Sequence, residues 1–577
     1  MTSTEVTELG RSAHLDTFTR DRLPAREQWP ILEFTIPEVW YPDRLNAGTE
    51  LITRAVDRFG ADRPAMHAPD RPSWSYGELL RRANQVAQVL VEDLGVVPVN
   101  RVMLRSPNNQ SLVACWLGVL KAGAVAVTTV PALRDAEVGQ LIDLTKPSVL
   151  LCDHRFAADL PTTVSASSDA RPGSETANST VLFGDDGPGD LLTRCQRKSG
   201  EFTDVDTAAD DVALLCPTSG STGTPKITMH FHRDVLANAD TFARFLLQPT
   251  PDDVFAGSPP LAFTFGLGGL VVFPLRFGAS ALLTERTTPV ELAELSHRAG
   301  ATVLFTAPTG YRAIVKQGKA DLLHTLRTGV SAGEHLPADT WQLVFEQAGV
   351  RLIDGIGATE MLHVFVSAAG DDIRPGSTGR AVPGYRAAVL DDRGSQVGPG
   401  VAGRLAVIGP TGCRYLGGDR QQNYVQNGWN ITGDIFVMDS DGYFTFQARS
   451  DSMIVSSGYN IGAPEVEAAI DKHPSVVESA VVGRPDPERG SVVCAFVVLA
   501  DGIAPNNLTR KDIQDFAKQQ IAPYKYPRDV RFVDSLPRNP SGKLQHFRLR
   551  EMLQRESAAA QGIPSNLVPE SARRQPS

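Results

Sequence analysis

The chain has 577 residues, room for two to four domains, and its 56 Lys and Arg against 66 Asp and Glu leave a formal net charge of −10. That acidity, with no long basic block, argues against a protein that coats nucleic-acid duplexes. The 42% hydrophobic and 21% charged residues exclude wholesale disorder.

The first twenty residues hold no apolar run of the kind a secretory signal needs. The cysteines Cys115, Cys152, Cys195, Cys216, Cys413 and Cys494 are scattered singly, with no CxxC pair and no zinc spacing. Buried, reduced thiols in a cytoplasmic protein are the expectation. Ser75 to Glu78 reads as a capping box, with Leu79, Leu80, Ala83, Val86, Ala87, Leu90 and Leu94 following at helical spacing and Gly95 where a C-terminal cap belongs. The runs Val149–Cys152, Val212–Cys216 and Thr302–Thr306 read as buried strands between helices, which predicts an α/β domain with much parallel sheet. Residues 161 to 210 read as surface loop, with one strand at Val181–Phe183.

The longest uncharged stretch, Val254 to Leu275, carries Pro259, Pro260, Pro274, Gly257, Gly266, Gly268 and Gly269. That punctuation predicts strands and turns rather than one helix, so no membrane span is expected. From about residue 376 short strands alternate with turn signals at Gly394, Asn427-Gly428 and Gly442, a small β-rich subdomain. After Asp451 come a strand, a helix opened by Pro464, more strands and a helix near Thr509. The predicted fold class is therefore α/β. A large N-terminal domain of mixed α/β sheets (1–450, with the β-rich subdomain at about 376–450) precedes a small, mobile α+β C-terminal domain (451–555) and a flexible tail (556–577).

The segment with most chemistry is Thr218-Ser219-Gly220-Ser221-Thr222-Gly223-Thr224-Pro225-Lys226, directly after an apolar strand. Its hydroxyls and the backbone freed by two glycines can surround phosphate oxygens with donors, and Lys226 adds positive charge. It is not a Walker A loop, because Gly223 is followed by Thr-Pro-Lys. Further motifs follow in order: Gly357-Ala-Thr-Glu360, Thr432-Gly-Asp434, Arg449-Ser-Asp451 with Ser457-Gly458, and Pro537-Arg-Asn-Pro-Ser-Gly-Lys543. On these residues the chain resembles the adenylate-forming superfamily of acyl-CoA synthetases, luciferases and peptide-synthetase adenylation domains.

The resemblance implies an AMP-forming acid–thiol ligase using ATP, Mg2+ and coenzyme A. It implies that the 218–226 loop holds the β- and γ-phosphates, that Thr359 donates to the α-phosphate, and that Glu360 ligates Mg2+. Asp434 is expected on the ribose hydroxyls and Arg449 on ribose or phosphate, with a structural salt bridge as the rival role for Arg449. Ser331, Ala332, Gly333, Glu334 and Asp354, Gly355, Ile356, Gly357 match the adenine slot. Lys543 is the expected catalytic ammonium, carried by a C-terminal domain that turns about Asp451, with Ser457, Gly458 and Tyr459 facing the pantetheine arm of CoA. Arg484, Lys525 and Arg528 are candidates for the CoA 3′-phosphate.

For the acid, the text from Asp354 to His363 and from Pro260 to Gly268 resembles benzoate-type CoA ligases. The text from Ser457 to Glu467 and from Phe18 to Pro30 resembles 2-aminobenzoate (anthranilate)–CoA ligases. Phe263, Phe265, Gly266 and Leu267 would give flat apolar walls for a ring, with His363 either holding an ortho substituent or shaping the pocket. No acidic residue lies between Ser258 and Arg276 to pair an α-ammonium, which argues against α-amino acids. Two other readings stay open, a stand-alone aryl-acid adenylase loading an acyl carrier protein and a non-catalytic nucleotide-binding relative. The sequence leaves monomer and homodimer equally open.

Overall fold

The computed structural model describes residues 9–161, 179–185, 187, 189–218, 225–418, 420–449, 453–456, 459–486, 490–521, 525–538, 542 and 544–560. Apolar runs rather than alternation mark its two large sheets. Arg101–Arg105, Val125–Thr129 and Val149–Asp153 are buried at every position, as strands covered on both faces must be. They belong to a six-stranded sheet in the order Ser179–Phe183, Val149–Asp153, Arg101–Arg105, Val125–Thr129, Val212–Thr218, Lys226–Phe231. Its first five strands are parallel, and the last returns antiparallel. A nine-stranded sheet has Leu352–Gly357, Thr328–Ser331, Val303–Thr306, Val254–Gly257, Ser280–Leu282 and Pro64–Ala68 as a parallel centre, with antiparallel strands at both edges. The expected α/β architecture is what forms.

The small five-stranded sheet takes in Arg386–Leu390, Ala402–Ile408, Val425–Gln426, Trp429–Met438 and Phe444–Arg449. Its tightest hairpin turns at Asn427 and Gly428, with φ of +51° and +78°, which is why that dipeptide stands there. From Ile454 onward two hydrophobic clusters draw on no residue of the preceding sheets. They pack helices Ala463–Ile470, Asn507–Gln520 and His546–Ala560 around the three-stranded sheet Val476–Asp486, Gly490–Leu499, Asp529–Phe532. Among the described residues no helix is long and apolar enough to cross a membrane.

Four local expectations are corrected. Only Val254–Gly257 of the uncharged stretch is strand; from Thr264 the chain is helical through Phe277, with a widened turn at Gly268–Val272. The glycines serve close packing instead of turns. A Cβ on Gly266 would collide with the Pro260 carbonyl, one on Gly268 with the His363 ring, and one on Gly269 would lie 2.6 Å from the Phe305 ring. The capping box is half formed: Ser75 Oγ accepts the Glu78 N–H at 3.2 Å, but the Glu78 carboxylate turns to Arg81 and Arg82. A charged guanidinium outcompetes a neutral backbone donor. A short helix, Leu191–Cys195, capped by Asp190, interrupts the stretch read as loop, of which 162–178 lie outside the described residues. Finally, helix His546–Ala560 runs into the segment read as a tail, because Leu549 and Leu553 bury against Ala480, Val482, Cys494 and Phe496.

We expect Gly266→Ala to lower stability by about 1–3 kcal/mol, since its methyl meets backbone that cannot swing aside. A shifted midpoint in urea unfolding checks this; an unchanged midpoint contradicts the packing account.

Candidate active site

In open parallel sheets the carboxyl ends of the strands face the ligand crevice. Here the carboxyl end of Val212–Thr218 opens the Ser/Gly/Thr loop, and that of Leu352–Gly357 opens the turn Thr359–Met361. A hydrogen bond joins the two sheets at this place: His230, on the strand after the loop, donates from Nε2 to the Thr359 carbonyl at 2.8 Å. Burial lowers the His230 pKa to about 4 and the nearby Asp234 only partly opposes it, so the ring is neutral at pH 7. The Met361 carbonyl accepts from Thr411 Oγ1 at 2.9 Å, and Leu362 takes a φ of +71° that such anchoring sustains.

Glu360 projects from this turn, and its Oε1 accepts the Tyr415 phenol at 2.5 Å. Burial and then the Glu360 charge push the Tyr415 phenol far up, so it stays an O–H donor. Lys226 Nζ lies 5.3 Å from the centre of the Tyr415 ring. Thr218, Lys226, Thr359 and Glu360 are thus brought to one crevice. Behind it Arg414 donates to Asp234 Oδ2 at 2.9 Å, both side chains fully buried, with the guanidinium 3.9 Å from the Phe231 ring centre and 5.0 Å from that of Trp29.

Asp434 and Arg449 face each other across adjacent strands, Arg449 Nη1 donating to Asp434 Oδ1 at 3.1 Å. The salt bridge foreseen as a rival role for Arg449 is therefore made, on a carboxylate that is itself a ribose candidate. Ser331, at the end of its strand, is the register partner of Asp354, within the neighbouring strand, and Ala332, buried, and Gly333, at φ +89°, follow Ser331. Burial raises the Asp354 carboxyl to about 7, against the lowering effect of the Thr378 hydroxyl and the Gly355 N–H. Ile356 is half-buried, and Gly357 has no room for a Cβ against the His363 carbonyl.

His363 is buried in an aromatic cage, its ring centre 5.4 Å from Phe242, 5.7 Å from Phe265 and 4.7 Å from Phe273. Neither ring nitrogen has a hydrogen-bond partner of ordinary geometry among the described residues, and burial lowers its pKa to about 3. Gly266 and Leu267 are buried in the helix alongside, while Phe263 precedes that helix and makes no ring contact with His363 among the described residues. Phe242, Phe273 and Phe305 complete the apolar wall and escaped the sequence reading. So did His230, Asp234, Arg414 and Tyr415. Gly412-Cys-Arg-Tyr415, a Gly-flanked run of mixed charge and aromatic text, was the one local signal for the last two.

Of the CoA candidates, Arg484 pairs with Asp529 at 3.2 Å and Lys525 with Glu465 at 2.6 Å, and Arg528 stacks 4.8 Å over Tyr526. Ser219, Gly220, Ser221, Thr222, Gly223, Asp451, Ser457, Gly458 and Lys543 lie outside the described residues, as does the side chain of Tyr459. No cluster of three or more His, Cys, Asp or Glu able to hold a metal occurs among the described residues. The donor set at Glu360, one carboxylate beside hydroxyls, still fits Mg2+, which is commonly held by one or two carboxylates together with phosphate oxygens and water.

The ends of strands from two α/β sheets, with Lys226, Thr359 and the Glu360 carboxylate near one another, suit a nucleotide-handling enzyme. The chain belongs to the AMP-binding enzyme family, which it matches over residues 52–415, and it matches the AMP-binding enzyme C-terminal domain over 465–543. It is 33% identical over 529 residues to the benzoate–CoA ligase of Thauera aromatica, covering 89% of this chain and 98% of that one. The 3-hydroxybenzoate–CoA ligase of Aromatoleum sp. (strain CIB) is 31% identical over 88% of this chain and 97% of its own. The crystal structure of the anthranilate CoA ligase AuaEII in complex with anthranoyl-AMP superposes with a TM-score of 0.82 at 30% identity, over 91% of this chain and 100% of that one. The large N-terminal α/β part and the small C-terminal domain are those of the adenylate-forming superfamily.

Because the native state holds a proton on Asp354 that the unfolded chain releases, wild-type stability should fall relative to Asp354→Asn as pH rises from about 4 to about 7, then level off. Paired urea titrations across that range read the gap; a gap that stays constant means the carboxyl is not protonated.

Proposed function

We propose that this protein is an aromatic acid–CoA ligase. The acid's carboxylate oxygen attacks the α-phosphorus of ATP, forming acyl–AMP as the bond to pyrophosphate breaks. The CoA sulfur then attacks the acyl carbon, giving acyl–CoA and AMP as the thiol proton leaves to solvent or a base. The observation that carries the reading is the aromatic cage around His363, three residues beyond the carboxylate of the Thr359–Glu360 turn. An apolar aromatic wall so close to the proposed phosphate site suits an aryl carboxylate.

The 218–226 loop with Lys226 holds the β- and γ-phosphates, and Thr359 donates to the α-phosphate. Bound at Glu360, Mg2+ would neutralise charge on the phosphates. Asp434 accepts from the ribose hydroxyls, Arg449 lies beside it, and Ser331–Glu334 with Asp354–Gly357 line the adenine. Lys543 stabilises the charge that develops between carboxylate and α-phosphate. It is borne by a C-terminal domain, residues 451–555, that turns about Asp451 and then offers Ser457, Gly458 and Tyr459 to the pantetheine arm. The preferred acid is 2-aminobenzoate or benzoate. A neutral His363 offers one acceptor nitrogen to an ortho amino group, and an aniline needs no counter-ion. Six buried, unpaired cysteines suit a cytoplasmic setting.

AMP release over benzoate, 2-aminobenzoate, hydroxybenzoates and short fatty acids, with CoA present, tests the substrate class. Aromatic acids should dominate, and a preference for aliphatic acids overturns the pocket argument. His363→Phe should erase about tenfold of any preference for 2-aminobenzoate over benzoate, the worth of one net hydrogen bond. Lys543→Ala should abolish adenylate formation while leaving thiolysis of supplied acyl–AMP largely intact. Equal loss of both half-reactions contradicts the two-step division of labour.

A further inference from the structure

The residues proposed for the metal and the phosphates share one neighbour that lies in none of the sequence motifs. Tyr415 donates its phenol to Glu360 Oε1 at 2.5 Å and places its ring 5.3 Å from Lys226 Nζ. Glu360 and Lys226 carry opposite charges in one crevice, yet among the described residues no ion pair joins them. A direct pair would neutralise both and take the carboxylate from a cation and the ammonium from a phosphate. The aromatic ring stands by the ammonium while the phenol holds one carboxylate oxygen.

Tyr415 is itself held on several sides. Its backbone bridges Thr228, flanked by Met229 N–H to the Arg414 carbonyl at 2.8 Å and Leu416 N–H to the Ile227 carbonyl at 2.9 Å. Tyr424 meets its ring edge-on at 6.0 Å between centres. Fully buried Gln421 accepts the Tyr415 N–H at 2.9 Å and donates to the carbonyls of Cys413 at 2.8 Å and Gln28 at 3.0 Å. That last bond reaches the N-terminal Phe18–Pro30 segment, whose Trp29 packs on Phe231 and Arg414. The backbone of Tyr415 is thus fixed on both sides and its ring by Tyr424, which together set the direction of the phenol.

We propose that Tyr415 is a positioning residue for adenylation, aiming the Glu360 carboxylate at the metal and keeping it from pairing with Lys226. This rests on the reading of Glu360 as the magnesium ligand given above. The isosteric variant Tyr415→Phe removes only the hydroxyl. In the full-length protein it should raise the Mg2+ concentration needed for half-maximal ATP binding, measured at equilibrium without any acid, by about tenfold or more, as loss of an oxygen that orients a metal ligand does. It should lower kcat for AMP formation while leaving the KM for acid within about twofold and thiolysis of supplied benzoyl–AMP unchanged. Glu360→Gln, run alongside, should shift the Mg2+ response at least as far. A wild-type Mg2+ response in Tyr415→Phe beside a shifted one in Glu360→Gln overturns the role of Tyr415 and leaves the reading of Glu360 standing. No shift in Glu360→Gln overturns both. Loss of thiolysis in Tyr415→Phe marks a merely structural residue and overturns the proposal as well.

Discussion

The buried pairing of Arg414 with Asp234 is the constraint on which the site hangs. Two charges with no exposed surface are costly to desolvate, and the attraction between them repays that only if their surroundings are built for it. Here the guanidinium lies against the faces of Phe231 and Trp29, and Asp234 also accepts the Phe231 N–H at 3.0 Å. The pair therefore fixes the N-terminal segment, the last strand of the six-stranded sheet and the run Gly412–Leu416 relative to each other. Through His230 the same cluster reaches the Thr359 carbonyl in the turn that follows Leu352–Gly357 of the nine-stranded sheet. A neutral histidine is the suitable link, because a cation there would face the buried guanidinium.

The region proposed for the acid follows a different rule, close approach without charge. Gly266, Gly268 and Gly269 bring one helix against the Pro260 carbonyl, the His363 ring and the Phe305 ring. The loop before that helix is tied to the six-stranded sheet, where Asn108 donates to the Pro259 carbonyl at 3.0 Å and Thr128 to the Ala262 carbonyl at 2.9 Å. Both large sheets thus shape the wall that faces the proposed acid. A polar ring enclosed by phenylalanines, with no hydrogen bond of ordinary geometry among the described residues, is expensive to keep in a core and suited to meeting a ligand.

The C-terminal part is organised to be separate. Its two hydrophobic clusters use residues from Ile454 onward, so its core does not depend on the sheets before it. A unit with its own core can change position without unfolding, which is what the proposed role of Lys543 asks of it.

Much of this was legible in the text alone. Apolar runs gave the parallel strands, Asn427-Gly428 a turn between strands and Pro464 a helix start, because each depends on chemistry within a few residues. Motif order gave the family, and with it Thr218, Lys226, Thr359 and Glu360, which the fold brings near one another. The errors fell where distant partners decide. The helix Thr264–Phe277 reads as strands and turns until the carbonyl and rings that fill its missing side chains are in place, and the end of helix His546–Ala560, from Glu556, reads as the start of a polar tail. His230 and Phe242 carry no local signature at all, and Arg414 and Tyr415 only the Gly-flanked run that holds them. Local sequence determines which backbone shapes and reactive groups the chain contains, since those follow from neighbours in the chain. Which of them touch was settled only by tertiary packing, because burial, pairing of charges and ring contacts arise between residues hundreds of positions apart.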